Sequence, residues 1–142
     1  PEPDYLLPFG KAKIVKPGTD ATIITYGAMV NESLATAKKL EEEGFSTEVI
    51  DLRTIVPLDT ETIYDSVKKT GKAVIVHEDT LTGGFGAEIA ARIADNCFKY
   101  LDGPVKRITA DDTHIPYHPN LESAILPTKE KIYNGLKELL LF

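Results

Sequence analysis

Residues 73–97 read AVIVHEDTLTGGFGAEIAARIADNC: an apolar strand, a glycine-bearing loop and an amphipathic helix in direct succession. That order is the signature of a βα unit, whose helix N-terminus points at whatever lies beyond the strand end. In open α/β sheets the crevice at the strand ends is where ligands and partners bind. Here the strand delivers His77, Glu78 and Asp79 into it, a lining that repels phosphate. Gly83, Gly84 and Gly86 lack G-x-G-x-x-G spacing, and no G-x-x-x-x-G-K-[ST] occurs in the chain. The loop therefore reads first as a tight turn that lets helix and strand pack closely. The lesser reading is a helix N-terminus that takes an acidic group from a partner.

The same alternation extends on both sides. Residues 21–26 (ATIITY) form a buried strand ended by Gly27, then helix-spaced Val30, Leu34, Ala37 and Leu40 face inward up to a stop at Gly44. Residues 47–52 are a second strand. Asp59 caps a second helix, with Ile63 and Val67 inward and Gly71 past its end. Residues 73–76 are the third strand, and the helix at 86–98 buries Ile89, Ile93 and Cys97. A fourth strand at 105–109 leads into the proline-rich loop DDTHIPYHPNLESAILP and a last helix from Thr128, with Ile132, Leu136 and Leu139 inward. Residues 1–19 read differently, with three of the nine prolines in PEPDYLLPFG. They are expected to be a connector from an upstream domain, with a short edge strand near 13–15, and residues 20–142 the domain proper. Strands separated by helices of about three turns require parallel pairing. The expected fold is α/β, a three-layer αβα sandwich on a mostly parallel sheet of about five strands.

With 142 residues, 42% hydrophobic and 27% charged, the chain suits one globular domain. No apolar run approaches the ~20 residues that span a bilayer, and no signal peptide opens the chain, so no membrane partner is expected. A single cysteine permits no intramolecular disulfide and suits a reducing compartment. The net charge of −6 and the absence of a basic stripe argue against nucleic acid and leave basic or neutral proteins as partners.

Chemistry-bearing residues gather at the strand ends. Asp51, Glu78, Asp79, Asp111 and Asp112 all fall at or just after strand C-termini. His77, Glu78 and Asp79 make an oxygen-rich set, but no second His or Cys stands at ligand spacing, which disfavours a metal site. The acids are expected to hold Arg53, Arg92, Arg107 or a neighbouring chain's basic groups. Arg53 leaves its strand end as a bidentate donor, for which an intradomain pair and an interface role compete evenly. Cys97 lies on an apolar helix face, where a thiol behaves as a small hydrophobe. No G-x-S-x-G elbow exists, and His114 and His118 read as loop-fixing residues ahead of substrate contacts.

Four strings in order, YLLPFGKAKIVKPGTDATIITYG, DLRTIVPLD, HEDTLTGGFGAEIAARI and DDTHIPYHP, resemble the C-terminal domain of transketolase-like thiamine-diphosphate enzymes. They are most similar to the β subunit of the decarboxylating component of 2-oxo acid dehydrogenase complexes. LTGGF and HIPYHP look more like the branched-chain (2-oxoisovalerate) or acetoin type than the pyruvate type. The resemblance implies a parent that oxidatively decarboxylates a 2-oxo acid and transfers the acyl group to lipoyl, using thiamine diphosphate and Mg. Those cofactors would lie between a pyrophosphate-binding domain and a pyrimidine-binding domain, the latter upstream of Pro1. The pyrophosphate motif, GDG followed by an Asn, is absent here. The resemblance therefore implies that this segment holds no catalytic residue, cofactor or metal, and is inactive alone.

It implies instead an assembly role, with the upstream domain, an α subunit, a second β subunit and the basic subunit-binding domain of the acyltransferase as partners. Residues 139–142, the Phe142 carboxylate, and Asp111 or Asp112 would meet that last partner, and the net negative charge fits. Arg53, His77, Glu78, Asp79, Gly83, Gly84 and Glu88 join Asp111, Asp112, His114, His118 and Phe142 as interface candidates. The compartment implied is the bacterial cytoplasm or the mitochondrial matrix. Two alternatives stay open: a free-standing αβα interaction or anion-binding module, and a domain of the transketolase or deoxyxylulose-phosphate synthase type. The acidic strand-end edge speaks against the sugar phosphates of the second. Apolar surface normally covered by other domains makes self-association an expectation.

Overall fold

In a computed structural model that describes residues 6–142, the chain runs β1 (Lys13–Lys16), β2 (Ala21–Thr25), α1 (Met29–Glu42), β3 (Thr47–Asp51), α2 (Thr60–Thr70), β4 (Ala73–Thr80), α3 (Phe85–Cys97), a 3₁₀ turn (Phe98–Tyr100), β5 (Lys106–Ala110), α4 (Pro119–Ile125) and α5 (Lys129–Leu140). The first five residues of the expected connector lie outside the described residues. β2 is buried at every position, as a strand covered on both faces must be. Its even and odd side chains feed two separate cores. Ile23, Val49, Val74 and Val76 pack against Ala37 and Leu40 of α1 and Ile132 and Leu136 of α5. Ile24, Ile50 and Ile75 pack against Ile63 and Val67 of α2 and Ile89, Ile93 and Cys97 of α3.

The sheet has five strands in the order β1-β3-β2-β4-β5. β3, β2, β4 and β5 are parallel neighbours, and β1 closes one edge antiparallel to β3. The αβα sandwich expected from the sequence is the fold observed. The chain steps outward from β2 to β3, then crosses back over β2 to β4. The strand order therefore reverses between β2 and β4, the point at which open α/β sheets place their ligands.

Three details depart from the expected elements. β4 continues past 76 to Thr80, because β5 prolongs the pairing through an irregularity to Thr80↔Ala110. The buried face of α1 is Met29, Ser33, Thr36, Ala37 and Leu40, while Val30 and Leu34 are half-buried at its border. Thr36 is tolerated inside because its hydroxyl donates to the Glu32 carbonyl at 2.9 Å. The loop expected at 111–127 contains α4, with Pro119 in its first turn and the His118 imidazole accepting from the Asn120 N–H at 3.3 Å.

Asp59 ties the start of the chain to the second core. Its carboxylate accepts from the Thr62 N–H at 3.2 Å and the Thr62 hydroxyl at 2.8 Å, which caps α2, and from the Ala12 N–H at 3.0 Å. Burial works against its charge, but these bonds outweigh it and hold the carboxyl below its ordinary 3.8. Asp59→Ala should lower stability by about 1–2 kcal/mol in urea unfolding at neutral pH. A depressed acid stabilises above its unfolded value, so the gap between wild type and variant should close as pH falls below 3.8. Equal stability of the two proteins at neutral pH would refute this role.

Candidate interface at the strand ends

At the end of β4 the backbone turns through Leu81, Thr82 and Gly83, the last at φ +77°, and enters α3 at Gly84. No local side chain caps α3. The cap comes from the strand: His77 Nε2 accepts from the Gly86 N–H at 3.1 Å. A Cβ at Gly86 would collide with that imidazole, and one at Gly84 with the Thr80 carbonyl and the ring. The glycines therefore serve the close helix–strand packing expected of them. Since Nε2 accepts, the neutral ring carries its proton on Nδ1.

His77 is only 1% exposed and stacks on Tyr26, with ring centroids 6.0 Å apart and planes 13° from parallel. It is thus enclosed within the domain. Gly84 is buried with it, while Glu78 is half-buried and Asp79 exposed. Burial pushes the His77 imidazole below its ordinary 6.5, and Arg107 adds to this against the opposing pull of Asp79. Burial also raises the Tyr26 phenol, with Asp79 and Glu78 adding to the shift.

The acids of the edge are partly spent inside the domain. Asp112 accepts from the Thr82 N–H at 2.8 Å and the Thr82 hydroxyl at 2.6 Å, bonds that hold its carboxyl below the usual range. Arg107 donates to the Leu81 carbonyl at 2.7 Å. Together they pin the 81–84 loop to β5. The Arg107 charge also acts on the Asp112 carboxylate and lowers it further. Asp111 lies 3.6 Å from the Lys131 ammonium, and Glu88 pairs with Arg92 at 2.7 Å one helical turn on. Asp79 turns its Oδ1 onto the Thr80 N–H at 2.8 Å.

Elsewhere the candidates are scattered. Arg53 sits half-buried at φ 59°, with its N–H on Asp51 Oδ1 at 3.0 Å. His114 is exposed in the loop after β5, and His118 caps α4, whose side chains are nowhere buried. Phe142 is 77% exposed at the far end of the molecule, beside Gly103. Thr82 and Tyr26 complete the edge and were not singled out in the sequence, whereas Arg107 of β5 was, as a partner for the strand-end acids. Thr82 acts across two loops, and Tyr26 reads in the sequence as one more strand residue. Among the described residues, no group of three His, Cys, Asp or Glu side chains is placed to hold a metal ion.

This geometry makes α3 docking a proton-sensitive contact. A proton on Nε2 abolishes the bond to Gly86 and sets a cation against the positive end of α3. Because the folded value is depressed, the contact stabilises above 6.5 and is lost as pH falls through the folded value. Urea-unfolding stability should therefore drop as pH falls below 6.5. His77→Gln should flatten that segment of the profile, and an unchanged slope in the variant would rule the contact out as its source.

Comparison with known proteins agrees with the fold and the motifs. The profile of the family described as "Transketolase, C-terminal domain" matches residues 10–132. The pyruvate dehydrogenase E1 component subunit beta of Staphylococcus epidermidis is 45% identical over all 142 residues, as is that of Staphylococcus aureus. The chain spans 43% of the length of each, less than half. A solved split-gene transketolase, described as an inactive β4 tetramer, superposes over 98% of this chain and 44% of its own, with TM-score 0.83 and 27% identity. A 2-oxoglutarate:ferredoxin oxidoreductase from Magnetococcus marinus shares the fold at TM-score 0.63 and 16% identity, over 92% of this chain and 19% of its own. The preference for a branched-chain or acetoin type, drawn from LTGGF and HIPYHP, finds no support in relatives that carry pyruvate names. With its profile, its β-subunit relatives and its strand order in agreement, the chain belongs to the transketolase C-terminal domain family.

Proposed function

We propose that this chain is the C-terminal assembly domain of a 2-oxo acid dehydrogenase β subunit, within a thiamine-dependent parent that oxidatively decarboxylates its substrate and passes the acyl group to lipoyl. The observation that carries this reading is 45% identity to pyruvate dehydrogenase β subunits over every residue of the chain. Pyruvate accordingly replaces the branched-chain acid as the favoured parent substrate. Residues 20–142 form the domain, and the segment before them joins it to an upstream pyrimidine-binding domain. An α subunit, a second β subunit and the acyltransferase's subunit-binding domain are the remaining partners, in the cytoplasm of a bacterium like those of the relatives.

Thiamine diphosphate and Mg do not fit the residues of this chain. The α3 N–H that would meet a phosphate is engaged by His77, and the notch left by Gly84 and Gly86 is filled by the imidazole. The exposed edge beside it carries Asp79, Asp111 and Asp112, which repel anions. No chemical step is therefore assigned here. What this domain contributes is surface: an acidic edge whose exposed carboxylates suit a basic partner, and a C-terminus that leaves α5 with Leu141 and Phe142 exposed.

Two measurements test the reading. The purified chain should show no decarboxylation of pyruvate or 2-oxoisovalerate. Substituted for the matching segment of the S. aureus β subunit and combined with its α subunit, it should support thiamine-dependent decarboxylation, faster with pyruvate. A folded chimaera without activity, or activity from the chain alone, would overturn the proposal. Titration with an isolated acyltransferase subunit-binding domain should give binding that weakens with salt and falls at least tenfold on deletion of Leu141 and Phe142.

A further inference from the structure

Lys131 stands in the first turn of α5, where the positive end of the helix opposes a cation. Its ammonium reaches back across the turn at 126–128 to the end of α4. There it donates to the Ala124 and Ile125 carbonyls at 3.1 and 3.3 Å, with the Asp111 carboxylate 3.6 Å away. The cation that α5 disfavours is thus placed at the negative end of α4. The Asp111 N–H donates to the same Ile125 carbonyl at 3.2 Å. One carbonyl is therefore gripped from two sides, by α5 and by the end of β5.

The segment held by this grip has little else to hold it. Residues 113–124 are exposed apart from the half-buried Pro116, and no side chain of α4 is buried. Two of its polar side chains serve the segment itself: His118 caps α4, and Ser123 donates to the Asn120 carbonyl at 3.1 Å. Its two ends are fixed. Before it, Asp112 is clasped to the Thr82 N–H and hydroxyl; after it, Pro127 is buried and Thr128 caps α5. A stretch that buries so little apolar surface between two fixed points meets the condition for opening locally. Bonds from a charged donor are the stronger kind, so the Lys131 ammonium dominates what keeps it shut.

We infer that residues 113–126 form a strap that opens and closes as one unit while the sheet stays folded, with Lys131 as its latch. Closed, the strap fixes the position of Ile115, Tyr117 and Leu121, three apolar side chains that it carries in water. Open, it swings on Asp112 and Pro127 and releases Lys131 and Asp111, which line a cavity of about 340 Å³ with Arg107. The inference concerns the motion of this chain and does not rest on the assembly reading.

Amide hydrogen exchange of the isotope-labelled chain, followed by NMR with and without low urea, tests it. The Asp111, Leu121, Glu122 and Leu126 amides are hydrogen-bonded only while the strap is closed and α4 formed. They should exchange at least tenfold faster than the Ile24 and Ile75 amides of the central strands, with no urea dependence, because a local opening exposes little surface. Lys131→Met keeps an unbranched stem and drops the charge. It should speed the four strap amides at least tenfold and leave the strand amides and the urea midpoint unchanged, whereas Lys131→Arg should keep them slow. Strap amides as slow as the strand amides, or as fast as those of an unfolded chain, would overturn the inference. So would a Lys131→Met variant that leaves the strap unchanged or speeds all amides together, or a Lys131→Arg variant as fast as Lys131→Met.

Discussion

The structure depends on one hydrogen bond between a strand and the helix that follows it, from the Gly86 N–H to His77 Nε2. Helix N-termini leave backbone donors unmet, and most chains meet them with a local Ser, Thr, Asp or Asn. This chain meets one from the preceding strand, with a ring that is also a core residue. That choice requires bare backbone at Gly84 and Gly86, because a Cβ at either would occupy the space of the imidazole or the Thr80 carbonyl. It fixes how deep α3 sits, and so carries Ile89, Ile93 and Cys97 into the second core. The same placement leaves Ala91 and Ala94, and Phe98 of the following turn, exposed on the outer side.

The cap also decides what the switch point between β2 and β4 can do. In ligand-binding relatives of this architecture, the helix dipole and free N–H groups at that point receive an anion. Here the ring fills the position and stacks on Tyr26, which closes the crevice between the two strands. The acids just beyond it face solvent or fasten loops, as Asp112 does at Thr82. What separates this strand–turn–helix from an open anion site is one side chain at the end of β4.

Most of the architecture was legible in the sequence, because both layers of the sandwich are written in periodicity. Strand runs such as ATIIT and AVIVH, together with helical spacing at Ile63–Val67 and Ile132–Leu136–Leu139, give the elements and their order, and Asp59, Gly71 and Thr128 mark helix ends by their local chemistry. What escaped was set by contacts across the fold. The burial of Met29, Ser33 and Thr36 in place of Val30 and Leu34 follows from how α1 rolls onto the sheet, with Thr36 satisfied by its own helix. The short α4 begins at a proline that reads as a loop residue unless the capping role of His118 is known. The site was least legible. His77 beside Glu78 and Asp79 looks like a cluster in one dimension, yet β4 is covered on both faces only as far as His77, and Glu78 and Asp79 emerge where that cover ends.

That end of the cover explains why residue type was a poor guide to role here. A histidine among acids suggests chemistry at a strand end, whereas four alanines and a phenylalanine on a helix suggest only core. The structure reverses both. The histidine is interior and satisfies backbone, while Ala91, Ala94 and Phe98 lie in water, where exposed apolar surface costs free energy unless something covers it. α3 is amphipathic for its own sheet through Ile89, Ile93 and Cys97, and then apolar a second time on its outer side. On that outer side Ala91 and Ala94 stand between the exposed Glu88, Arg92 and Asp95, so the apolar strip in water is narrow and bounded by charge.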